Sequence, residues 1–234
     1  SENGFLPVLA DIPAATLAKS RMMVLSYPHN PTTAIAPLAF FEEAVAFCQQ
    51  HDLVLVHDFP YGDVVFSDVQ VPSIFQADRE KSTSIEFFTL SKSHNMGGFR
   101  IGYAIGNRKL IQALRQIKAV VDFNQYSGIL HGAIAALTGD QTPVQTTIDT
   151  FKQRRDLFVN ALNEIGWHVP IPAATMYIWA KLPPKWEHNS LEFCTELVTQ
   201  TGVAVSPGVG FGRCGEGYVR FALVHEPAKL QLAV

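Results

Sequence analysis

Two short apolar runs separated by one helix-length segment constrain this chain most. Met22-Met23-Val24-Leu25-Ser26 reads as a buried strand and is closed by Tyr27-Pro28-His29-Asn30-Pro31, where two prolines impose an extended exit. Pro37 then opens a helix with Phe41, Ala44, Val45 and Cys48 on one face, and Leu53 to His57 is a second β-rich run ending at Asp58. Strand, helix and strand of this length make a βαβ unit, whose two strands are parallel. Ligands in such sheets sit beyond the carboxyl ends of the strands. Asn30 and Asp58 fall there, each just after its own strand.

A third run, Ile85, Phe87, Phe88 and Leu90, leads into Thr89 to Gly102, TLSKSHNMGGFRIG. Lys92 lies at the end of this run among small polar residues. Thr89 and Ser91 offer hydroxyls, Gly97 and Gly98 allow close backbone approach, and Arg100 carries a permanent fork suited to phosphate. The set suits an anionic cofactor held beside a reactive amine, against the plainer reading of a loop with a solvated lysine. A phosphate-binding P-loop is excluded because no glycine-rich run ends at Lys92. Thr89-x-x-Lys92 has the spacing of the penicillin-binding Ser-x-x-Lys motif, but the companion Ser-Asp-Asn and Lys-Thr-Gly segments are absent from the sequence. Schiff-base chemistry is the remaining role for this lysine. An amide, a carboxylate with a phenol three residues on at Tyr61, and a lysine thus converge on one sheet edge.

The 234 residues suffice for one large domain or two small ones, and 47% hydrophobic with 17% charged residues and a net charge of −3 describe a globular protein without a nucleic-acid footprint. No apolar run approaches a membrane span and no signal peptide is evident. Three widely spaced cysteines, Cys48, Cys194 and Cys214, suggest a reducing cytoplasm. The eight histidines are scattered without metal-ligand spacing, so structural roles are their default and no metal is expected.

Beyond Gly106 the pattern turns helical. Leu110, Leu114, Ile117 and Val121 form one stripe, Ile129 to Leu137 another ending at Gly139, and both read as core. Val144, Ile148, Phe151, Phe158, Leu162 and Ile165 form the next, with Arg154 and Arg155 read as a solvated edge. Strands are expected at Met176 to Leu182, Val203 to Ser206 and Tyr218 to Val224, around a helix from Leu191 to Thr201 capped by Asn189 or Ser190. The glycine-rich Pro207 to Gly217 reads as a mobile loop. The expected fold class is therefore α/β, a large domain over 1–142 with a mostly parallel sheet and a smaller α+β domain over 143–234.

Taken together, Asn30-Pro31-Thr32, Asp58-x-x-Tyr61, Ser91-Lys92-Ser93 followed by Asn95-Met96-x-Gly98-x-Arg100-x-Gly102, and Tyr218-Val219-Arg220-Phe221 resemble the class I/II aminotransferases of pyridoxal-phosphate fold type I, aspartate aminotransferase-like, over essentially the whole chain. The resemblance implies a three-layer α/β large domain that binds pyridoxal 5'-phosphate. It implies that Lys92 forms the internal aldimine, Asp58 pairs with the pyridinium nitrogen, Asn30 and Tyr61 contact the ring oxygen, and Thr89 and Arg100 hold the phosphate, with Ser91 a further cofactor-binding residue. Arg220 would grip the substrate α-carboxylate. The implied reaction is amino transfer between an α-amino acid and a 2-oxo acid, of aspartate or diaminopimelate type, in a cytoplasmic homodimer. A β-lyase of the same fold and a cofactor-sensing regulatory domain are the alternatives.

Two residues depart from the family pattern: Thr33 stands where glycine usually follows Asn-Pro-Thr, and Thr89 where serine is frequent. The first is expected to alter the turn carrying Asn30. Both ends look cut: the resemblance begins after the segment that supplies a phosphate-cradling helix start, a ring stacked on the cofactor and residues lent to a partner subunit. The chain as it stands is therefore expected to bind cofactor weakly, to lack transamination and to leave sheet edges open to self-association.

Overall fold

The computed structural model describes residues 3–66 and 69–234. After one helical turn, α1 (Ala14–Leu17), the chain runs β1 (Met22–Ser26), α2 (Leu38–Gln50), β2 (Val54–Asp58), β3 (Ser84–Thr89) and β4 (Gly102–Gly106). Three helices follow, α3 (Arg108–Val121), α4 (Ser127–Thr138) and α5 (Thr142–Glu164). The chain closes with β5 (Tyr177–Lys181), α6 (Ser190–Thr201), β6 (Ser206–Pro207), β7 (Tyr218–Ala222) and α7 (Pro227–Leu232). Among the described residues no helix is long and apolar enough to cross a membrane.

The first sheet has the order β1-β2-β3-β4. β1, β2 and β3 are parallel, with Ser26 opposite Asp58 and Asp58 opposite Phe87, so β1 and β2 end level and β3 runs on to Thr89. β4 returns antiparallel, with Gly102 opposite Thr89. A Cβ at Gly102 would fall against the Phe88 carbonyl, so glycine there is a condition of the pairing. The expected face of α2, Phe41, Ala44, Val45 and Cys48, is buried with Phe40 against Leu25, Tyr27, Leu55 and Ile74. Each large side chain enclosed this way contributes roughly 1.5–3 kcal/mol, which fixes one face of the sheet.

The other face differs from expectation. Met22 and Val24 are 57% and 61% exposed, so β1 is buried on one side only. The α3 stripe is not core either: Leu110 and Leu114 are half-buried, while Ile117 and Val121 are open to solvent. On α4 only Ala133 is buried, packed with Leu90 and Ile101, and Ile134 and Leu137 are exposed. A helical stripe shows that a face is apolar, and whether a partner covers it depends on what lies opposite. Here α3 faces an open apolar cleft of about 500 Å³ along Phe87, Tyr103 and Ile111.

The second sheet, β5-β7-β6, is antiparallel throughout. Ile178, Ala180, Val219 and Leu223 are fully buried within it, against Phe158, Val159 and Leu162 of α5, Phe193 of α6 and Leu230 of α7. Asn189 caps α6 by accepting from the Glu192 amide. The expected third strand is two residues, displaced to Ser206–Pro207. Pro207 to Gly217 is not an open loop: it forms two 3₁₀ turns, Gly208–Phe211 and Arg213–Gly215, with Gly208 and Gly215 so close that neither has room for a side chain. Arg155 is no solvated edge. It is 7% exposed, donates to the Pro172 carbonyl, pairs with Asp156 and lies over the Phe66 ring. Arg154 pairs with Glu226. Ile165, expected on the stripe, is exposed because α5 has ended at Glu164.

The two sheets meet through a backbone bridge. Val65 pairs with Ala174, the Phe66 amide donates to the Ala173 carbonyl at 2.8 Å, and the Thr175 amide donates to the Val64 carbonyl at 2.9 Å. The segment after Tyr61 is thereby tied to the segment that opens β5.

Candidate active site

Asp58 is the last residue of β2, and its register places it between Ser26 and Phe87. Its neighbour His57 points into the opposite face and is fully buried, because side chains alternate along a strand. His57 Nδ1 lies 2.7 Å from Glu86 Oε1 and Nε2 lies 3.0 Å from the Tyr27 carbonyl, joining all three parallel strand ends beneath the site. Glu86 also accepts from Ser73 Oγ and the Ile74 amide. Asp58 itself is exposed, and its carboxylate makes no hydrogen bond within the described residues. Partial burial nevertheless raises its pKa above the ordinary carboxylate range, and His57 opposes that rise.

Tyr61, three residues on, is 3% exposed and donates to the Tyr177 hydroxyl at 3.1 Å. Its pKa is raised, first by burial, then by the hydrogen bond and by the charge of Tyr177, with Asp58 adding and Arg220 subtracting. Lys92 lies past the end of β3, half-buried, with Nζ 5.9 Å from the centre of the Tyr61 ring and no hydrogen-bond partner within the described residues. Among the described residues no His, Cys, Asp or Glu cluster is arranged to hold a metal ion.

Arg220, from the middle of β7, reaches across to the first sheet. Nη1 donates to Asn30 Oδ1 at 2.7 Å and Nη2 donates to Ser206 Oγ at 3.2 Å. Its guanidinium lies 4.3 Å over the Tyr177 ring and 4.7 Å from the Phe211 ring, a sandwich that fixes its plane. Its Nε is buried and without a partner among the described residues. Residues 190 positions apart in sequence are thus in direct contact.

The phosphate candidates are less assembled. Thr89 Oγ1 donates to Ser91 Oγ at 2.9 Å and accepts from the Ser91 amide, so the two hydroxyls form one turn. Arg100 has a left-handed backbone with φ of 52° and donates from Nη1 to the Gly97 carbonyl at 3.0 Å. Arg100 is exposed, lines the Phe87 and Tyr103 cleft and makes no hydrogen bond to Thr89, Ser91 or Lys92. Thr33 takes φ of 62°, a conformation that suits glycine and costs a β-branched residue roughly 1–2 kcal/mol. The turn carrying Asn30 keeps its left-handed step despite threonine, closed by the Thr33 amide on the His29 carbonyl at 2.7 Å.

With this geometry in place, the aminotransferase class I and II profile matches residues 3–234. The chain belongs to that family. It is 44% identical over all its 234 residues to LL-diaminopimelate aminotransferase 2 of Trichormus variabilis, covering 60% of that protein. It is also 44% identical to the glutamate-pyruvate aminotransferase AlaC of Escherichia coli, over 92% of this chain and 53% of that one. Among solved structures, apo-BacF from Bacillus subtilis superposes with a TM-score of 0.94 at 36% identity, covering 100% of this chain and 62% of that chain. A probable N-succinyldiaminopimelate aminotransferase from Thermus thermophilus gives 0.89 at 38% identity, covering 97% and 61%. The chain thus spans about 60% of the length of its curated relative from Trichormus.

Members of this family use pyridoxal 5'-phosphate. The donor set fits such a group: among the described residues the Lys92 amine and the Asp58 carboxylate have no hydrogen-bond partner, and beside them are the buried Tyr61 phenol and the Thr89 and Ser91 hydroxyls. Tyr177, Ser206 and Phe211, which hold Tyr61 and Arg220, escaped sequence reasoning. Tyr177 opens a strand like many tyrosines, and Phe211 lies in a stretch whose glycines suggested mobility.

Proposed function

We propose that the gene product carrying this chain is a pyridoxal-phosphate-dependent aminotransferase, moving an amino group between an α-amino acid and a 2-oxo acid. One observation carries the reading: the unpaired Lys92 amine lies beside Tyr61, while Arg220, held by Asn30, projects from the second sheet to the same place. Bound there, pyridoxal phosphate supplies an aldehyde for amine chemistry and an electron-accepting ring. Lys92 Nζ would hold the cofactor and, as a positioned base, would take the proton from the substrate α-carbon and pass it to the cofactor. Asp58 would keep the ring nitrogen protonated, a pairing that at about 4 Å and an effective dielectric near 20 would be worth on the order of 4 kcal/mol. Asn30 and Tyr61 would hold the ring oxygen, and Thr89, Ser91 and Arg100 would serve the phosphate. The planar fork of Arg220 takes the substrate α-carboxylate, and its unpartnered Nε is a donor in reserve for that contact.

Relatives named for LL-diaminopimelate and for glutamate and pyruvate support a diamino or dicarboxylic amino acid as donor. The exposed apolar surface of α3 and β1 supports assembly as a homodimer, the three free cysteines support a cytoplasmic setting, and the cofactor-holding domain is assigned to 1–142. Borohydride reduction of the full gene product loaded with pyridoxal phosphate, followed by peptide mass spectrometry, is expected to find the pyridoxyl group on Lys92. A Lys92→Ala variant that retains the reduced adduct and transaminates normally overturns the proposal.

A further inference from the structure

We propose that the Tyr177 hydroxyl is a positioning group for Tyr61: it accepts a hydrogen bond from Tyr61 in this structure, and would donate one in return when Tyr61 turns toward a cofactor oxygen. The inference rests on the reading of Tyr61 as the phenol that faces the cofactor. It goes beyond that reading in giving a task to a residue from the other sheet.

Tyr61 and Tyr177 are 3% and 8% exposed, so protein rather than bulk water must satisfy both hydroxyls. Their oxygens are 3.1 Å apart and their rings meet edge to face at 5.8 Å. The approach is set by the backbone, since Val64 and Phe66, just after Tyr61, are bonded to Thr175 and Ala173, just before Tyr177. A hydroxyl is both donor and acceptor and can reverse its role by rotating about one bond, whereas phenylalanine offers neither function. If Tyr61 reoriented its proton without such a neighbour, its oxygen would lose the only hydrogen-bond partner it has among the described residues. A hydrogen bond received from Tyr177 also polarises Tyr61 into a stronger donor.

The charged and titratable groups around Tyr61 are few. Tyr177 and Arg220 face it from β5 and β7, Asp58 from its own segment and Lys92 from beyond β3. Arg220 lies 4.3 Å over the Tyr177 ring, so the same side chain carries the carboxylate-binding group on its face and the phenol at its tip. Removing only the oxygen separates these two tasks.

Tyr177→Phe, Tyr61→Phe and the double variant of the full gene product test the inference. Tyr177→Phe is expected to weaken pyridoxal phosphate binding about 2- to 10-fold, the effect of one neutral hydrogen bond. It is also expected to raise the midpoint pH of the visible band of the cofactor on Lys92, by up to about one unit, because the donor to the ring oxygen is weaker. Inhibition by a non-reacting dicarboxylic acid, which reads Arg220, should be unchanged, and the double variant should match Tyr61→Phe alone. A Tyr177→Phe protein whose affinity and spectral midpoint equal the native values overturns the Tyr177 role while leaving the cofactor reading intact. So does a double variant in which the two effects add in full. A native protein without any Lys92-dependent band overturns the cofactor reading and this inference together.

Discussion

Acids buried away from the site and the acid at its edge are treated in opposite ways. Asp78, 3% exposed, accepts from the amides of Ser82, Thr83 and Ser84 and from the hydroxyls of Ser82 and Ser84. Glu86, fully buried, accepts from His57, Ser73 and Ile74. Asp58, adjoining His57 on β2, accepts from no described group, and Lys92 and the Arg220 Nε are likewise without hydrogen-bond partners among the described residues. The first set has its lone pairs committed to the protein, whereas Asp58 keeps its own free and Lys92 and the Arg220 Nε keep uncommitted donors among the described residues. Saturated acids lock the loops and strands that carry the site, and unsaturated ones are left for a ligand to complete. That division predicts stability losses at the first set and binding losses at the second.

The comparison breaks most visibly at Glu86. Glu86→Leu leaves His57 Nδ1, the Ser73 hydroxyl proton and the Ile74 amide without acceptor or donor in a dry interior, and urea denaturation is expected to show a loss of about 3–5 kcal/mol. A loss under about 1 kcal/mol would mean that this network holds nothing. Asp78→Asn comes next, at about 2–3 kcal/mol, because an amide nitrogen would face donors that now meet a carboxylate. Burial pushes the Asp78 pKa up, but the hydrogen bonds from Ser84, Ser82 and Thr83 outweigh it and leave it lowered. The sign follows: its contribution is complete above the unfolded value of about 3.9 and disappears as pH falls through the lower folded value. Denaturation of native and Asp78→Asn proteins from pH 7 downward should therefore converge only at strongly acid pH.

Asp58→Asn sharpens the contrast from the other side. The raised pKa of Asp58 means that its ionised form is slightly disfavoured in the fold, and solvent screens that cost. Stability at neutral pH is expected to change by no more than about 0.5 kcal/mol, with any change favourable. Pyridoxal phosphate affinity of the gene product is expected to fall by roughly a hundredfold or more. An Asp58→Asn protein that unfolds as readily as Glu86→Leu would show that Asp58 is structural after all.

The sequence alone determined what depends on local order. Apolar runs of strand length, the α2 face, the Asn189 cap and the proline exits placed Asn30, Asp58 and Lys92 at strand ends, because side-chain period and backbone restriction act within a few residues. The motifs from Asn30 to Arg220 carried the family. Tertiary structure decided what depends on approach between distant segments. It decided that Arg155 is buried while Ile117 and Val121 are not, and that Phe211 closes on Arg220 from within a glycine-rich stretch. It also brought Tyr177 to Tyr61 across 116 positions, by bonds between Val64 and Thr175 that leave no pattern in either segment. Burial and partnership are properties of pairs of surfaces, and a stripe of residues specifies only one of the two.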